Sequence, residues 1–124
     1  MKLDEAEKLI RKAIDLDRKR RKANPRFDPD KDRDNGAYLD SLGWVMYKKE
    51  NYKEAKEVLL KAVEDKAAQH IEIYDHLGDT LLKLGETEAA VTAWRKGIDF
   101  VGDGRRDQQI KAKVQKKIDD QTKK

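Results

Sequence analysis

Two stretches of this sequence match each other at a fixed offset of 35 residues, within the segment from Gly36 to Gly104. The matched positions of the first stretch are Leu39, Leu42, Gly43, Met46, Ala55, Leu59 and Ala62. Those of the second are Tyr74, Leu77, Gly78, Leu81, Ala90, Trp94 and Gly97. Internal similarity at a period of about 20 to 50 residues is typical of stacked repeat arrays. The sequence therefore predicts a helical scaffold for interactions, without naming its partner.

The spacing within each stretch predicts helices. Leu39, Leu42, Gly43 and Met46 recur at i, i+3, i+4 and i+7, which places them on one stripe of a helix. A glycine in that stripe costs about 1 kcal/mol of helix propensity relative to alanine, so we expect a neighbouring helix to approach closely there. Ala55, Ala62 and Ala90 are expected to serve the same contact from the second helix of each pair.

These positions resemble the tetratricopeptide repeat, a helix-turn-helix unit with the pattern W-x2-L-G-x2-Y, then A-x3-F, then P. The pairs Leu42-Gly43 and Leu77-Gly78 match its Leu-Gly pair. The departures are Leu39 and Tyr74 for Trp, Met46 and Leu81 for Tyr, and Ala67 and Gly102 for the closing Pro. The resemblance implies an all-α fold in which antiparallel helix-turn-helix repeats stack as a superhelix, or solenoid.

The chain divides into five segments on this reading. Residues 1–17 contain Ala6-x3-Ile10-x2-Ala13 and are expected to form the second helix of a truncated repeat. Residues 18–35 are a charged insertion loop, with the first helix running on to about Lys22 before Pro25 stops it. Residues 36–69 and 71–104 are the two repeats, and 105–124 are a capping helix and tail. We expect the chain to be the C-terminal part of a longer repeat array.

Several residues are expected to begin or end the helices. Asp34 or Asn35 is expected to cap the helix that starts at Gly36. Asn51 with Glu54 resembles a capping box for the next helix. Gly85 is expected to adopt the left-handed conformation that ends the first helix of the second repeat.

Composition narrows the classes of function. The 29 basic and 25 acidic residues leave a net charge of only +4, which favours a solvated surface of mixed sign over general nucleic-acid affinity. No run of about 18 apolar residues indicates a membrane span. The absence of cysteine excludes disulfides and zinc-thiolate sites.

The insertion carries two charged patterns with alternative meanings. The basic run from Arg18 to Arg26 could bind phosphate, nucleic acid or an anionic surface, although no aromatic residue is interleaved; the alternative is a solvated helix end. The alternating aspartates from Asp30 resemble the opening of a calcium loop. However, Asn35 holds the place of the required glycine and Ser41 that of the terminal glutamate, so we expect no metal there.

The candidate binding residues follow from the family geometry. In this family the first helices line a concave groove, and the stripe one residue past the core stripe points into it. These residues are Asp40, Trp44 and Tyr47 in the first repeat and Asp75, Asp79 and Leu82 in the second. Acidic and aromatic side chains together suit a peptide or helical segment that carries Lys or Arg and an apolar anchor. The alternative is that Trp44 and Tyr47 are ordinary packing residues, shielded by another helix or by the insertion.

Some tetratricopeptide domains bind a terminal carboxylate with basic residues in this groove. Asp40, Trp44 and Asp79 give the opposite charge, so we do not assign the chain to that subclass. The basic run Arg18 to Lys22 could itself lie in the acidic groove, from the same chain or from a second one.

Little in the sequence supports catalysis. Ser41 is the single serine, and His70 and His76 are six residues apart, so they do not share a helical face. We therefore predict a non-enzymatic protein without cofactors, and expect His76 to lie near the groove as a contact residue.

The N-terminal helix presents an apolar stripe that Leu9 and Leu16 widen. Repeat arrays bury such faces on neighbouring repeats. We therefore expect this helix to make contacts between copies of the chain. A purely structural role, as the oligomerising end of an array, is a further alternative to partner binding.

Overall fold

The structure is a computed structural model that describes residues 2–123, and these form six α-helices and one short 3-10 helix, Lys66–Ala68. The α-helices are α1 (Lys2–Ala23), α2 (Gly36–Lys48), α3 (Tyr52–Ala62), α4 (Ile71–Lys83), α5 (Thr87–Ile98) and α6 (Arg105–Thr122). The predicted all-α repeat fold is confirmed. None of the helices in this range is long and apolar enough to cross a membrane.

Each repeat is a helical hairpin held together at a glycine. A Cβ on Gly43 of α2 would lie 2.6 Å from Cγ of Leu59 on α3, and one on Gly78 of α4 would lie 2.1 Å from Nε1 of Trp94 on α5. The two helices of each hairpin can approach this closely only because no side chain stands between them. The small residues on the second helices, Ala55, Ala62 and Ala90, are fully buried. The predicted close approach is confirmed.

The hairpins stack mainly through α3, which packs on α4, and also through their first helices. Helix α2 contacts α4, and α4 contacts α6, so these three helices form one inner row. Helices α1, α3 and α5 lie on the other side, where α1 packs on α2 and α3 packs on α4. The largest fully buried side chains fill the space between the two rows and include Met46, Leu59, Ile71, Ile73 and Trp94. Consequently, the side chains of α2, α4 and α6 that point away from α1, α3 and α5 share one face.

The helix ends agree with the sequence at two places and differ at a third. The Asn35 side chain accepts a hydrogen bond from the Tyr38 amide at 3.1 Å and caps α2, and Gly85 has the expected positive φ of 80°. The capping box predicted at Asn51 is wrong, because the Asn51 side chain makes no capping hydrogen bond. Glu54 instead accepts a hydrogen bond at 2.6 Å from Arg11 on α1.

Helix α1 continues past residue 17 to Ala23, close to the end at about Lys22 that the sequence predicted. The basic residues Arg18 to Lys22 therefore lie on the helix, and Arg26 lies in the loop that follows it. Ile14 is buried against the rest of the fold, and Leu3, Ala6 and Ile10 are half-buried beside it. Leu9 and Leu16 remain exposed.

Candidate binding groove

The six candidate residues on α2 and α4 are all half-buried. Neighbouring first helices place Asp40, Trp44 and Tyr47 of α2 beside Asp75 and Asp79 of α4. Leu82, at the far end of the stripe, packs against the hydrophobic core and contributes apolar surface there. The face is therefore neither sealed beneath other helices nor fully open to solvent.

Aromatic rings from both first helices meet in the middle of this face. The Trp44 ring stacks on Tyr47 with centroids 4.8 Å apart and an angle of 7° between the planes. It also stacks on the imidazole of His76, at 4.2 Å and 18°. Nδ1 of His76 lies 2.8 Å from Oδ1 of Asp40, which joins α2 to α4. Lys48 places its Nζ 4.9 Å from the Trp44 ring centroid.

The two carboxylates of α4 share one ammonium group from α6. Nζ of Lys117 donates hydrogen bonds to Oδ1 of Asp75 at 2.7 Å and to the two carboxylate oxygens of Asp79 at 3.0 and 3.1 Å. This contact joins α4 to α6 as Asp40 and His76 join α2 to α4. The capping helix thus contributes a side chain to the groove.

The two carboxylates of Asp75 and Asp79 carry more negative charge than the single ammonium group of Lys117 can balance. Burial raises the pKa of Asp79, the neighbouring Asp75 raises it further, and Lys117 only partly opposes these effects. Burial lowers the pKa of Lys117, but its hydrogen bonds with Asp75 and Asp79 outweigh that effect and leave the pKa raised. Burial also raises the pKa of Tyr47, as does the negative charge of Asp79, so the aromatic and acidic parts of the groove are electrostatically coupled.

Lys117 was not among the residues that the sequence predicted for this face. Its position did carry a signal, because Lys117 is three residues after Val114 and seven after Ile110, on the apolar stripe of α6. A lysine on a buried stripe needs a charged partner, but the spacing alone does not show which carboxylate it meets. His76 lies at the groove, as expected.

Within one chain, the basic run does not lie in the acidic groove. Arg18 donates through Nε and Nη2 to the two oxygens of Asp34 at 2.9 and 2.6 Å. Arg21 binds Asp32 at 2.6 Å and Asp34 at 2.7 Å. The Arg18 hydrogen bonds, with those of Arg21, overcome the effect of burial and hold the pKa of Asp34 at about 2. Between residues 2 and 123, no group of three or more acidic or histidine side chains is arranged to hold a metal ion.

The stacked hairpins and their charged, aromatic inner face define a helical-repeat scaffold. The family model for the tetratricopeptide repeat matches residues 37–64 and 71–100, and the chain belongs to this family. Tetratricopeptide repeats are generally protein–protein interaction modules and typically act as non-enzymatic scaffolds. No curated protein matches the chain in a sequence search.

Proposed function

We propose that this chain binds a protein segment that carries Lys or Arg beside an apolar anchor, in the groove formed by α2, α4 and α6. The observation that carries the proposal is the Asp75–Asp79 pair, which shares a single ammonium group and adjoins the stacked rings of Trp44 and Tyr47. The partner segment is expected to be extended or helical.

The uncompensated charge supports a cationic ligand. Asp40, Asp75 and Asp79 bring three carboxylates to the face, and Lys117 is the one lysine or arginine hydrogen-bonded to them among the described residues. Burial raises the pKa of Asp79 and the negative charge of Asp75 raises it further, so Asp79 is only partly neutralised by Lys117. A second cation from a partner would relieve the repulsion between Asp75 and Asp79, and a partly buried site strengthens such an interaction.

The ring cluster supports an apolar anchor next to that cation. Trp44, Tyr47 and His76 already constrain one another by stacking, so little side-chain entropy remains to be lost on binding. Trp and Tyr are also the residue types most enriched at the energetic centres of protein interfaces. Trp44 stacks on His76, which follows Asp75 directly in α4, so one short segment can reach the aromatic and the acidic groups.

A peptide selection tests the proposal. The intact chain is used to enrich peptides from a random library, and the enriched peptides are expected to carry Lys or Arg near an aliphatic or aromatic residue. Affinity of the best peptide is then measured by calorimetry for the wild type and for Asp75→Asn/Asp79→Asn, which is expected to bind at least about tenfold more weakly. Asp120→Asn, at an exposed position on α6, is the matched control. Enrichment of acidic peptides, or equal affinity for the wild type and the double variant, contradicts the proposal.

A further inference from the structure

Helix α1 has an apolar side that no other part of residues 2–123 covers. Leu9 is 70% exposed and Leu16 is 54% exposed, and these are the two most exposed large apolar side chains described. They are seven residues apart, or two helical turns, and therefore lie on the same side of α1. Ile14, which is buried against the fold, points in a different direction.

The surface around these leucines is shaped to accept another side chain. Ala13 lies next to the leucines and is small enough for a second helix to approach closely, whereas Ala6 packs against the core. Leu16 and Ala13 also line a shallow depression between α1 and α2, together with Asp17, Arg20 and Tyr38. Tyr38 adds a partly exposed ring at the edge of this depression.

The charges at the two ends of α1 are opposite. Asp4 and Glu5 are in its first turn, whereas Arg20, Arg21 and Lys22 are in its last. At 100° per residue, Glu5 and Arg20 fall on the same side as Leu9 and Leu16. Along this side of α1, Glu5 lies at one end and Arg20 at the other, and the two leucines flank the exposed Lys12 in the middle. A second α1 in the opposite direction therefore brings opposite charges together at both ends.

We propose that two copies of this chain associate through α1, with the two helices antiparallel about a two-fold axis near Lys12 and Ala13. In this arrangement Leu9 packs against the partner's Leu16, and Glu5 lies opposite the partner's Arg20. The same contacts occur twice, as two-fold symmetry requires. A parallel arrangement would instead oppose like charges at both ends, and it would align the helix dipoles unfavourably.

The interface is small, so the association is reversible and depends on concentration. One pair of helices buries less than the roughly 1,600 Å² of a standard-size interface. The leucines supply most of the affinity, and the exposed Glu5–Arg20 contacts chiefly set the orientation. Arg20 already donates a hydrogen bond to Asp17 of its own helix at 2.8 Å, so the contact with the partner's Glu5 shares or replaces this one.

Sedimentation over a concentration series up to the millimolar range tests the association. The wild type is expected to change from monomer to dimer, and Leu9→Glu and Leu16→Glu are each expected to weaken dimerisation at least about tenfold. Leu60→Glu is the matched control, because Leu60 is 45% exposed on α3 and remote from α1. Circular dichroism verifies that each variant remains helical. A wild type that stays monomeric throughout, or a dimer that Leu9→Glu leaves intact, overturns the proposal.

Two further variants test the antiparallel orientation. Glu5→Arg and Arg20→Glu are each expected to weaken the dimer, and the double exchange is expected to restore it. Because the chain contains no cysteine, Leu9→Cys and Leu16→Cys each introduce a single thiol. A mixture of the two is expected to form a disulfide between the chains on oxidation, and each alone is not. Efficient cross-linking of Leu9→Cys to itself would show a different orientation and overturn the proposed geometry.

Discussion

Gly78 of α4 lies so close to Trp94 of α5 that a Cβ at Gly78 would stand 2.1 Å from the indole Nε1. The equivalent positions of the first repeat, Gly43 and Leu59, show the same relationship at 2.6 Å. In both hairpins the loss of helix propensity at the glycine is offset by the burial of a large side chain against the bare backbone. This contact sets the distance between the helices of each repeat.

Gly78→Ala is expected to destabilise the fold by about 2 kcal/mol, because the cost of overpacking exceeds the gain in helix propensity. Urea unfolding followed by circular dichroism measures the change. Gly104→Ala is the control, since a Cβ there meets no atom within 4 Å. If Gly78→Ala leaves the free energy of unfolding unchanged, α4 and α5 can move apart without a loss of stability, which would contradict the prediction.

Glu50→Gly is expected to stabilise the protein by about 0.5–1 kcal/mol. Glu50 has a φ of 64°, a conformation that costs most side chains about 1–2 kcal/mol, and the equivalent position of the second repeat is Gly85. Part of this gain is offset by the greater freedom of glycine in the unfolded chain. The reciprocal change, Gly85→Ala, is expected to destabilise by a similar amount. Thermal unfolding of the two variants should shift in opposite directions.

Asp34 is expected to make stability depend on pH in the acidic range. Its folded pKa of about 2 lies below the ordinary value of 3.8, so its contribution is complete above pH 3.8 and is lost as the pH falls through 2. Asp34→Asn should therefore cost about 1 kcal/mol at neutral pH, where solvent screens the pair with Arg18, and most of this cost should be gone at pH 2. Asp30→Asn, in the same loop, is the control. The free energy of unfolding of the wild type and the variant is measured at both pH values. If Asp34→Asn destabilises the protein as much at pH 2 as at neutral pH, the ionised carboxylate is not the cause.

Lys117→Met is expected to raise the pKa of Asp79 further, because the ammonium group that partly opposes burial and Asp75 is removed. A carboxylate with a raised pKa binds its proton more tightly in the folded state, so stability falls as the pH rises through its titration. That fall is expected to be larger in the variant than in the wild type. Carboxyl NMR titration gives the pKa directly. Lys116→Met, at the adjacent exposed position, should leave Asp79 unchanged.

The same variant, Lys117→Met, tests whether Lys117 competes with a bound ligand for Asp75 and Asp79. If a partner's Lys or Arg uses the Asp75–Asp79 pair, Lys117 competes with it for the same oxygens. Lys117→Met should then increase the affinity of the selected peptide by about threefold to tenfold. Calorimetric titration with Lys116→Met as the control measures this increase. A decrease would indicate that Lys117 contacts the partner instead of competing with it.

Most of the fold could be predicted because it is repeated. The offset of 35 residues places Gly43 and Gly78, Leu59 and Trp94 in equivalent sites, so one hairpin supports the interpretation of the other. The same offset relates Glu50 to Gly85, and it could have revealed the positive φ at Glu50, although glutamate itself gives no such signal.

Contacts between unrepeated elements could not be predicted. The partner of Asp75 and Asp79 is Lys117, whose register against α4 depends on how α6 packs and has no counterpart in either repeat. Glu54 had a plausible local role as a cap, but Arg11 of another helix competes for it with a charge-assisted hydrogen bond. In both places a long-range ion pair determines the geometry, and sequence spacing alone does not show which charges meet.

The two polar links along the inner row have a mechanical consequence. His76 with Asp40, and Lys117 with Asp75, draw together the same edges of three successive helices. Curvature in a solenoid arises from the small rotation between neighbouring repeats. These links join neighbouring helices of the inner row, so they limit that rotation on the side of the groove. Both links are partly buried, and dissolved ions screen such pairs much less than exposed ones, so they hold the angle between neighbouring helices over a range of ionic strength.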